Sequence, residues 1–391
     1  MSKLQNLIQK LCPNGVEYKK LGEICELSRG KVYSKIYITE NQGEYPVYSS
    51  QTANKGELGR ISTFDYDGEY LTWTTDGAYA GTIFHRKGKF SITNVCGLIS
   101  IKSTNLLIRF LYYWLSIKAK EYVFRGMGNP KLMSNQMALI EIPIPPTEVQ
   151  NEIVRILDIF TTLAAELQAE LQAELQARQE QYECYRDKLL DFRDINKHAT
   201  WMKMSEIGDI CMCKRIMKEQ TNNIGGIPFY KIGTFGKVAD AYISRELYED
   251  YKSRFSFPIK GEILISASGT IGRTVVYDGK EAYFQDSNIV WVHNDEAKVL
   301  NRYLYHYYQI IEWNVEGGTI KRLYNNNLAK TKIAVPDLAE QERIVSILDK
   351  FEALTNDLSQ GLPAEIAAVQ EQYEYYRDKL LSFPKNKKIS A

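Results

Sequence analysis

Two segments of the chain combine small residues with side chains that could bind a ligand. Residues 74–83 read TTDGAYAGTI, and residues 266–275 read SASGTIGRTV. Glycines and other small residues let a backbone approach a ligand closely, and the dipoles of such loops can hold an anion. The side chains available for hydrogen bonds are Thr75, Asp76, Tyr79, Ser268, Thr270 and Arg273. A tight hairpin that binds nothing is an equally good interpretation of both segments.

A second pair of segments places basic residues beside clustered amides. Residues 128–136 read GNPKLMSNQ, and residues 319–327 read TIKRLYNNN. The candidates in these segments are Lys131, Asn135, Lys321, Arg322 and Asn326. Because both copies hold a basic residue, contact with phosphate is favoured over a purely structural role.

Motifs typical of catalysis do not occur in the sequence. Neither the GxxxxGK[ST] phosphate loop nor the GxGxxG fingerprint is present. The double proline at Pro145 and Pro146 fits the start of a helix better than the loop of an adenine methyltransferase. The six cysteines and four histidines form no set at zinc-binding spacing. We therefore expect this chain to have no catalytic residue and to bind no metal or cofactor.

An internal repeat indicates how these segments are positioned. Residues 179–192 (QEQYECYRDKLLDF) recur at 370–383 as QEQYEYYRDKLLSF, an offset of 191. The same offset relates IVRILDIF at 153–160 to IVSILDKF at 344–351. Upstream, LGEIC at Leu21 resembles IGDIC at offset 186. The repeat predicts two similar domains, each followed by a helical segment of the same length.

The repeated helical segments carry apolar residues at spacings of three and four, which predicts two long amphipathic helices. Each stripe needs an apolar partner, so we expect the helices to form an intramolecular antiparallel coiled coil. Gly361 and Pro363 predict a break in the second helix. AELQ occurs three times at 165–176. Each unit adds about 6 Å and about 40° of rotation, so this run could act as a ruler.

The parts that precede the helices have short β-prone runs separated by Gly, Asn and Asp, and each ends in an aromatic helical stretch. The predicted fold class is α+β, with two similar domains related by a pseudo-twofold axis and joined by the coiled coil. The predicted domains are 1–145 and 193–335, the predicted helices are 146–192 and 336–383, and residues 384–391 form a basic tail.

The charge distribution points to a polyanionic partner. The net charge is +1, but residues 147–192 hold 4 Lys and Arg against 10 Asp and Glu, and residues 337–383 hold the same numbers. The rest of the chain is therefore basic, at +13, as phosphate binding requires. Further candidates for contact with this polyanion, chosen as cations, amides or tyrosines in these basic parts, are Lys31, Tyr48, Gln51, Lys55, Arg60, Lys214, Arg215, Lys231 and Lys237.

These features together resemble the specificity (S) subunit of type I restriction-modification systems. The resemblance covers nearly the whole chain: the opening LCPNGVEYKKLGEI, the prolines Pro145 and Pro336 with a glutamine five residues later, IVxILDxF, the AELQ units and the two QEQYExYRDKLLxF endings. The second helical segment contains Gly361 and Pro363 and has no AELQ repeat. The two helical spacers are therefore not equivalent.

The resemblance implies that each target-recognition domain reads one half of an asymmetric bipartite DNA target and that the helices set the spacing. It implies two methyltransferase (M) subunits and restriction motor-nuclease (R) subunits as partners. S-adenosylmethionine, ATP and magnesium would then be bound by those partners. Because no 18-residue apolar run and no apolar leader occur, we expect a cytoplasmic protein. A non-catalytic protein- or RNA-binding scaffold and an enzyme with an unrecognised site are the alternatives.

Overall fold

The computed structural model describes residues 3–126, 128–193, 198–318, 321–356 and 361–386. The chain divides into two compact units: unit 1 comprises Met1–Ala169 and Ala367–Ala391, and unit 2 comprises Glu170–Ile366. Both units mix helices and strands, which confirms the predicted α+β class. Each unit contains one of the globular parts together with portions of both long helical segments.

The elements of unit 1, in chain order, are α1 Lys3–Leu11, β1 Glu17–Lys20, α2 Leu21–Ile24, β2 Cys25–Arg29, α3 Lys35–Glu40, β3 Gln42–Tyr48, β4 Glu57–Ile61, β5 Tyr66–Thr74, β6 Ile83–Ile92, β7 Cys96–Ile101, α4 Ile108–Lys118, α5 Ser134–Met137, β8 Glu141–Ile144 and α6 Thr147–Leu190, whose second part belongs to unit 2. A six-stranded sheet has the order β2-β7-β5-β6-β3-β4, and β1 pairs separately with β8. Strand β5 lies between antiparallel neighbours, whereas β3 pairs parallel to β6.

The elements of unit 2 that follow α6 are β9 Thr200–Lys203, α7 Met204–Ile207, β10 Asp209–Cys211, β11 Thr221–Asn222, β12 Ile227–Tyr230, β13 Tyr242–Ile243, α8 Arg245–Arg254, β14 Ile263–Ser266, β15 Thr274–Val276, β16 Tyr283–Phe284, β17 Ile289–His293, α9 Asn301–Tyr308, α10 Asn325–Lys330, β18 Lys332–Val335, α11 Leu338–Asn356 and α12 Leu362–Leu380, most of which belongs to unit 1. The sheets have the orders β10-β17-β14-β15 and β11-β13-β12-β16, and β18 pairs with β9.

The aromatic stretches predicted to be helical are α4 and α9, which pack in the main core of their own unit. Phe110 and Leu111 of α4 are fully buried, as is Tyr303 of α9. Such large apolar side chains contribute about 2–3 kcal/mol each when they leave water. These helices therefore fix each globular part to the long helix that follows it.

The long helices pack antiparallel within each unit. In unit 1 the ring of Phe160 meets that of Tyr376 at a centroid distance of 6.1 Å, and Gln168 hydrogen-bonds Gln370 further along. In unit 2 the ring of Tyr185 stacks on Phe351 at 5.5 Å. These contacts confirm the predicted antiparallel pairing. The predicted break is confirmed at Gly361, which is described and not helical, and α12 begins directly after it at Leu362. Residues 357–360 lie outside the described residues.

A buried glutamine ties the start of each long helix to the globular part. The Gln150 side chain donates to the carbonyls of Asn105 (2.7 Å) and Pro145 (2.8 Å) and accepts from the Leu107 N–H (2.8 Å). Gln341 makes the equivalent three bonds, each of 2.9 Å, with Lys298, Pro336 and Leu300. This repeated set of bonds explains why the proline and glutamine recur together in the sequence.

We expect Gln150→Met to lower the free energy of unfolding by about 2–4 kcal/mol, because the Leu107 N–H and the Pro145 carbonyl would lose their partner without gaining water. Urea denaturation of the full chain measures this loss. The control is Gln172→Met, an exposed glutamine on the same helix, which should change the value by less than about 0.5 kcal/mol. Equal effects of the two substitutions would contradict the role given to Gln150.

Candidate nucleic-acid interface

In unit 1 the two candidate segments lie side by side. Asp76 and Lys131 form an isolated antiparallel backbone bridge, and the Leu132 N–H donates to the Thr75 carbonyl at 2.8 Å. The buried Trp73 at the end of β5 donates from Nε1 to the Leu132 carbonyl at 2.9 Å. The sheet therefore holds residues 128–136 against the loop that leaves β5.

Unit 2 repeats this arrangement. Ser268 and Arg322 form the equivalent bridge, and the Leu323 N–H donates to the Ala267 carbonyl at 2.9 Å. The first two residues of the candidate segment 319–327 lie outside the described residues. The structure therefore brings the two kinds of candidate segment together in each unit, although they are far apart in the sequence.

A hydroxyl at the strand end orders the loop in each unit. Thr74 Oγ1 accepts from the Thr82 N–H at 3.0 Å and donates to the Tyr79 carbonyl. In unit 2, Ser266 Oγ accepts from the Arg273 N–H at 2.9 Å and donates to the Thr270 carbonyl. Both segments are therefore tight hairpins held by their own bonds. Their outer side chains, such as Tyr79 at 64% exposure, remain available for a ligand.

Arg29 was not among the predicted site residues, yet it joins three parts of the unit 1 site. Its guanidinium donates to the Asn94 carbonyl at 2.7 Å and to Thr75 Oγ1 at 3.2 Å. The offset of 186 that aligns LGEIC with IGDIC also aligns Arg29 with the candidate Arg215. Arg215 instead forms an ion pair of 2.8 Å with Asp286. The repeat thus contained the signal that would have found Arg29.

We call these sites loop cluster 1 and loop cluster 2. Loop cluster 1 consists of residues 29, 75–79, 94 and 128–136, and loop cluster 2 consists of residues 215, 267–273, 286–288, 316–318 and 321–327. Beside Arg215 and Arg322 lies a cavity of about 570 Å³ that is also lined by Glu316, Tyr324 and the amides of residues 325–327. The amides of Asn135 and Asn326 occupy equivalent positions of the repeat and are exposed.

Some candidates in unit 2 are held by bonds inside the protein. Arg322 donates to the Ser287 carbonyl at 2.8 Å and to Asn288 Oδ1 at 3.2 Å. Ser268 donates to the same Asn288 oxygen at 2.8 Å, and Arg273 donates to the Phe235 carbonyl at 2.9 Å. These side chains order the loops, whereas Thr270 is exposed.

The other cations of unit 2 differ in their surroundings. Lys231 pairs with Asp240 at 2.8 Å, and the ammonium of Lys214 lies 5.0 Å from the centre of the Phe255 ring. Lys237 and Lys321 are exposed, and no ion pair reaches either of them from the described part of the chain. Lys237 and Lys321 are therefore the two cations, among these unit 2 candidates, that are most available to a phosphate.

In unit 1, Lys31 lies near loop cluster 1 but is paired. Its ammonium contacts Asp65 at 2.6 Å, and the Tyr33 hydroxyl donates to the same carboxylate at 2.6 Å. Burial acts to raise the pKa of Asp65, but the hydrogen bonds from Lys31 and Tyr33 outweigh burial and keep this pKa below its usual value. The hydrogen bond to Asp65 in turn raises the pKa of Lys31.

Two of the remaining unit 1 candidates, Tyr48 and Lys55, contact the buried Arg86. Its guanidinium lies 3.5 Å from the centre of the Tyr48 ring and donates to the Lys55 carbonyl at 2.7 Å. Burial lowers the pKa of Arg86. Gln51 donates to the Glu57 carbonyl at 2.5 Å, and Arg60 pairs with the Glu57 side chain at 2.9 Å. Tyr48, Gln51 and Arg60 therefore have structural partners, while the Lys55 side chain is exposed.

One group of described residues has the atoms of a metal site. Ligand atoms of His306, Asp349 and Glu352 lie within 4.8 Å of one another. Arg302, however, contacts Asp349 at 2.7 Å and also pairs with Glu352. A cation therefore already balances these carboxylates, and the group acts as a link between α9 and α11. Among the described helices, none is both long and apolar enough to cross a membrane.

The comparisons with known proteins agree with this architecture. The family model for the type I restriction modification DNA specificity domain matches residues 13–177 and 199–368. The chain is 47% identical over 395 residues to a putative type I restriction enzyme specificity subunit of Haemophilus influenzae, covering 98% of this chain and 100% of the relative. It is 32% identical over 374 residues to a putative type I specificity subunit of Mycoplasma pneumoniae, covering 95% and 98%.

Two solved structures share the fold at low sequence identity. One, described under complex assembly and conformational transition of the type I R-M system, has a TM-score of 0.69 at 17% identity and covers 94% of this chain and 98% of its own. The HsdS subunit from Thermoanaerobacter tengcongensis has a TM-score of 0.54 at 17% identity and covers 95% and 97%. The chain therefore belongs to the type I restriction-modification specificity subunits and carries two DNA specificity domains in tandem.

Proposed function

We propose that loop cluster 1 and loop cluster 2 each read one half of an asymmetric bipartite DNA target. The observation that carries this proposal is that the two clusters repeat the same backbone bonds with different outer side chains. Asp76 stands where unit 2 has Ser268, and both follow equivalent strand ends. Loops with the same backbone structure can contact the DNA backbone in the same way, while their different side chains read different bases.

The exposed cations of both clusters support contact with phosphates. Lys131 and Lys321 are exposed, and basic residues of this kind position a protein on a duplex without reading its sequence. The exposed amides of Asn135 and Asn326 have the chemistry to contact an adenine edge or a phosphate. Tyr79, Thr270, Lys55 and Lys237 extend the proposed contact surface.

We propose that the long helices set the distance between the half-sites and dock the partner subunits. Helix α6 runs for 44 residues, and its sequence and that of the second helical segment are acidic. Apolar side chains that remain exposed on α6, such as Leu163 at 56%, favour a protein partner on this surface. The partners are two methyltransferase subunits and, for cleavage, motor-nuclease subunits.

In this proposal the chain recognises DNA in the cytoplasm and performs no chemistry. Adenine methylation with S-adenosylmethionine, and cleavage that needs ATP and magnesium, belong to the partner subunits. Incubation of the isolated chain with labelled S-adenosylmethionine and duplex DNA should give no methylated product. Methyl transfer by the chain alone would contradict the non-catalytic role.

The DNA-reading function is tested by measuring the affinity of the full chain, with its methyltransferase subunits, for random duplexes at increasing salt. A DNA reader loses affinity as salt rises, because its phosphate contacts release counterions on binding. A scaffold for proteins or RNA would show no duplex binding under the same conditions, and that result would overturn the proposal.

A further inference from the structure

Asp76 is an acidic residue of loop cluster 1, whose cations are Arg29 and Lys131. Its backbone pairs with that of Lys131, and its neighbour Thr75 accepts a hydrogen bond from Arg29. The Asp76 side chain is half-buried, and within the described residues no ion pair and no hydrogen bond reaches its carboxylate. Two other acidic residues of unit 1, Asp65 and Glu57, are by contrast paired with cations.

An unpaired carboxylate is unfavourable on a surface that binds DNA, because it repels the phosphates. It becomes useful only where the duplex offers it a hydrogen-bond donor. In the major groove the donors are the amino groups of cytosine (N4) and adenine (N6), while guanine and thymine present acceptors there. The adenine amino group lies beside the acceptor N7, which repels a carboxylate, so cytosine is the better partner.

We propose that Asp76 accepts a hydrogen bond from the N4 amino group of a cytosine in the half-site read by loop cluster 1. This inference rests on the proposed function. At the equivalent position of unit 2, the Ser268 hydroxyl donates to Asn288, so loop cluster 2 has no free carboxylate there. The cytosine requirement therefore belongs to one half-site only and contributes to the asymmetry of the target.

The substitutions Asp76→Asn and Asp76→Ala test this assignment. Asp76→Ala should reduce the preference for one C·G pair by about 10- to 100-fold. Asp76→Asn should favour adenine at the same position, since an asparagine amide pairs with N6 and N7 of adenine. Both variants should bind random duplexes at least as tightly as the natural chain, because each removes a negative charge. A residue needed only for folding would weaken all binding.

The experiment maps methylation by the complete complex of this chain and its methyltransferase subunits on a library of target variants. Glu40→Gln is the control, since it removes one negative charge from an exposed position at the end of α3, outside both loop clusters and both long helices; it should leave the target unchanged. The inference is supported if the Asp76 variants change one C·G pair in one half-site.

The inference is overturned if Asp76→Ala keeps the natural target with undiminished discrimination, or if the position that changes is not a C·G pair. Both results leave the proposed function intact, because the complex still methylates a bipartite target. If the natural complex shows no sequence preference at all, the proposed function fails, and the role of Asp76 fails with it.

Discussion

Deletion of residues 165–168, one AELQ unit of α6, is expected to change the preferred distance between the half-sites and to leave both half-site sequences unchanged. Four residues correspond to about 6 Å of helix and about 40° of rotation, and 6 Å is about two base pairs at 3.4 Å each. Methylation of the natural target should therefore be lost, and methylation of a target with a changed spacer should appear.

The helix should tolerate this deletion, because its apolar stripe repeats every four residues in this region. Removal of one unit brings Leu171 to the position of Leu167 in the stripe, while the contact of Phe160 with Tyr376 lies before the deleted residues. The control replaces residues 165–168 with four alanines, which keeps the length and should keep the spacing. If the preferred distance between the half-sites is unchanged after the deletion, the proposal that α6 sets this distance is contradicted.

Charge reversal at one cation of each loop cluster is expected to weaken DNA binding without a change of target. In the double variant Lys131→Glu and Lys321→Glu, the new carboxylates would face phosphates, and we expect an affinity loss of at least about 10-fold at 0.15 M salt. The slope of log affinity against log salt should become shallower by about 1 for each lost contact. Titration of the assembled complex with duplexes at several salt concentrations measures both effects.

The matched control for this variant is Lys10→Glu with Lys298→Glu. Lys10 lies on α1, Lys298 lies beside the start of α11, and both side chains are exposed. The net charge changes equally, but the loop clusters are untouched, so affinity should fall far less. If both pairs weaken binding to the same extent, net charge rather than these loop clusters accounts for the DNA affinity.

The long helices were predictable because their signals are local in the sequence. The spacing of apolar residues identifies the helices, Gly361 and Pro363 identify the break, and the repeated stripe identifies the antiparallel partner. For the sheets, the sequence predicted only that strands occur together with helices, and not which strands pair. The parallel pairing of β3 with β6 joins residues more than 40 positions apart, and nothing in a single strand specifies such a partner.

The candidate site was predictable to the extent that the internal repeat describes it. Equivalent positions, such as Lys131 and Arg322, could be recognised from their offset. The partners of each side chain depend on tertiary packing and could not be read from the sequence. The contact of the buried Arg86 with the Tyr48 ring is one such partner, and the role of Tyr48 as a DNA contact stays a prediction. Arg29 was missed although the repeat aligns it with Arg215.

The central claim is that the two DNA specificity domains of this chain read two different half-sites at a fixed distance. It is tested most directly by mapping methylated adenines across the genome of a host that expresses the methyltransferase subunits with and without this chain. The claim predicts methylation at an asymmetric bipartite target only when the chain is present. Identical methylation in both strains, or methylation at one uninterrupted or palindromic target, would contradict it.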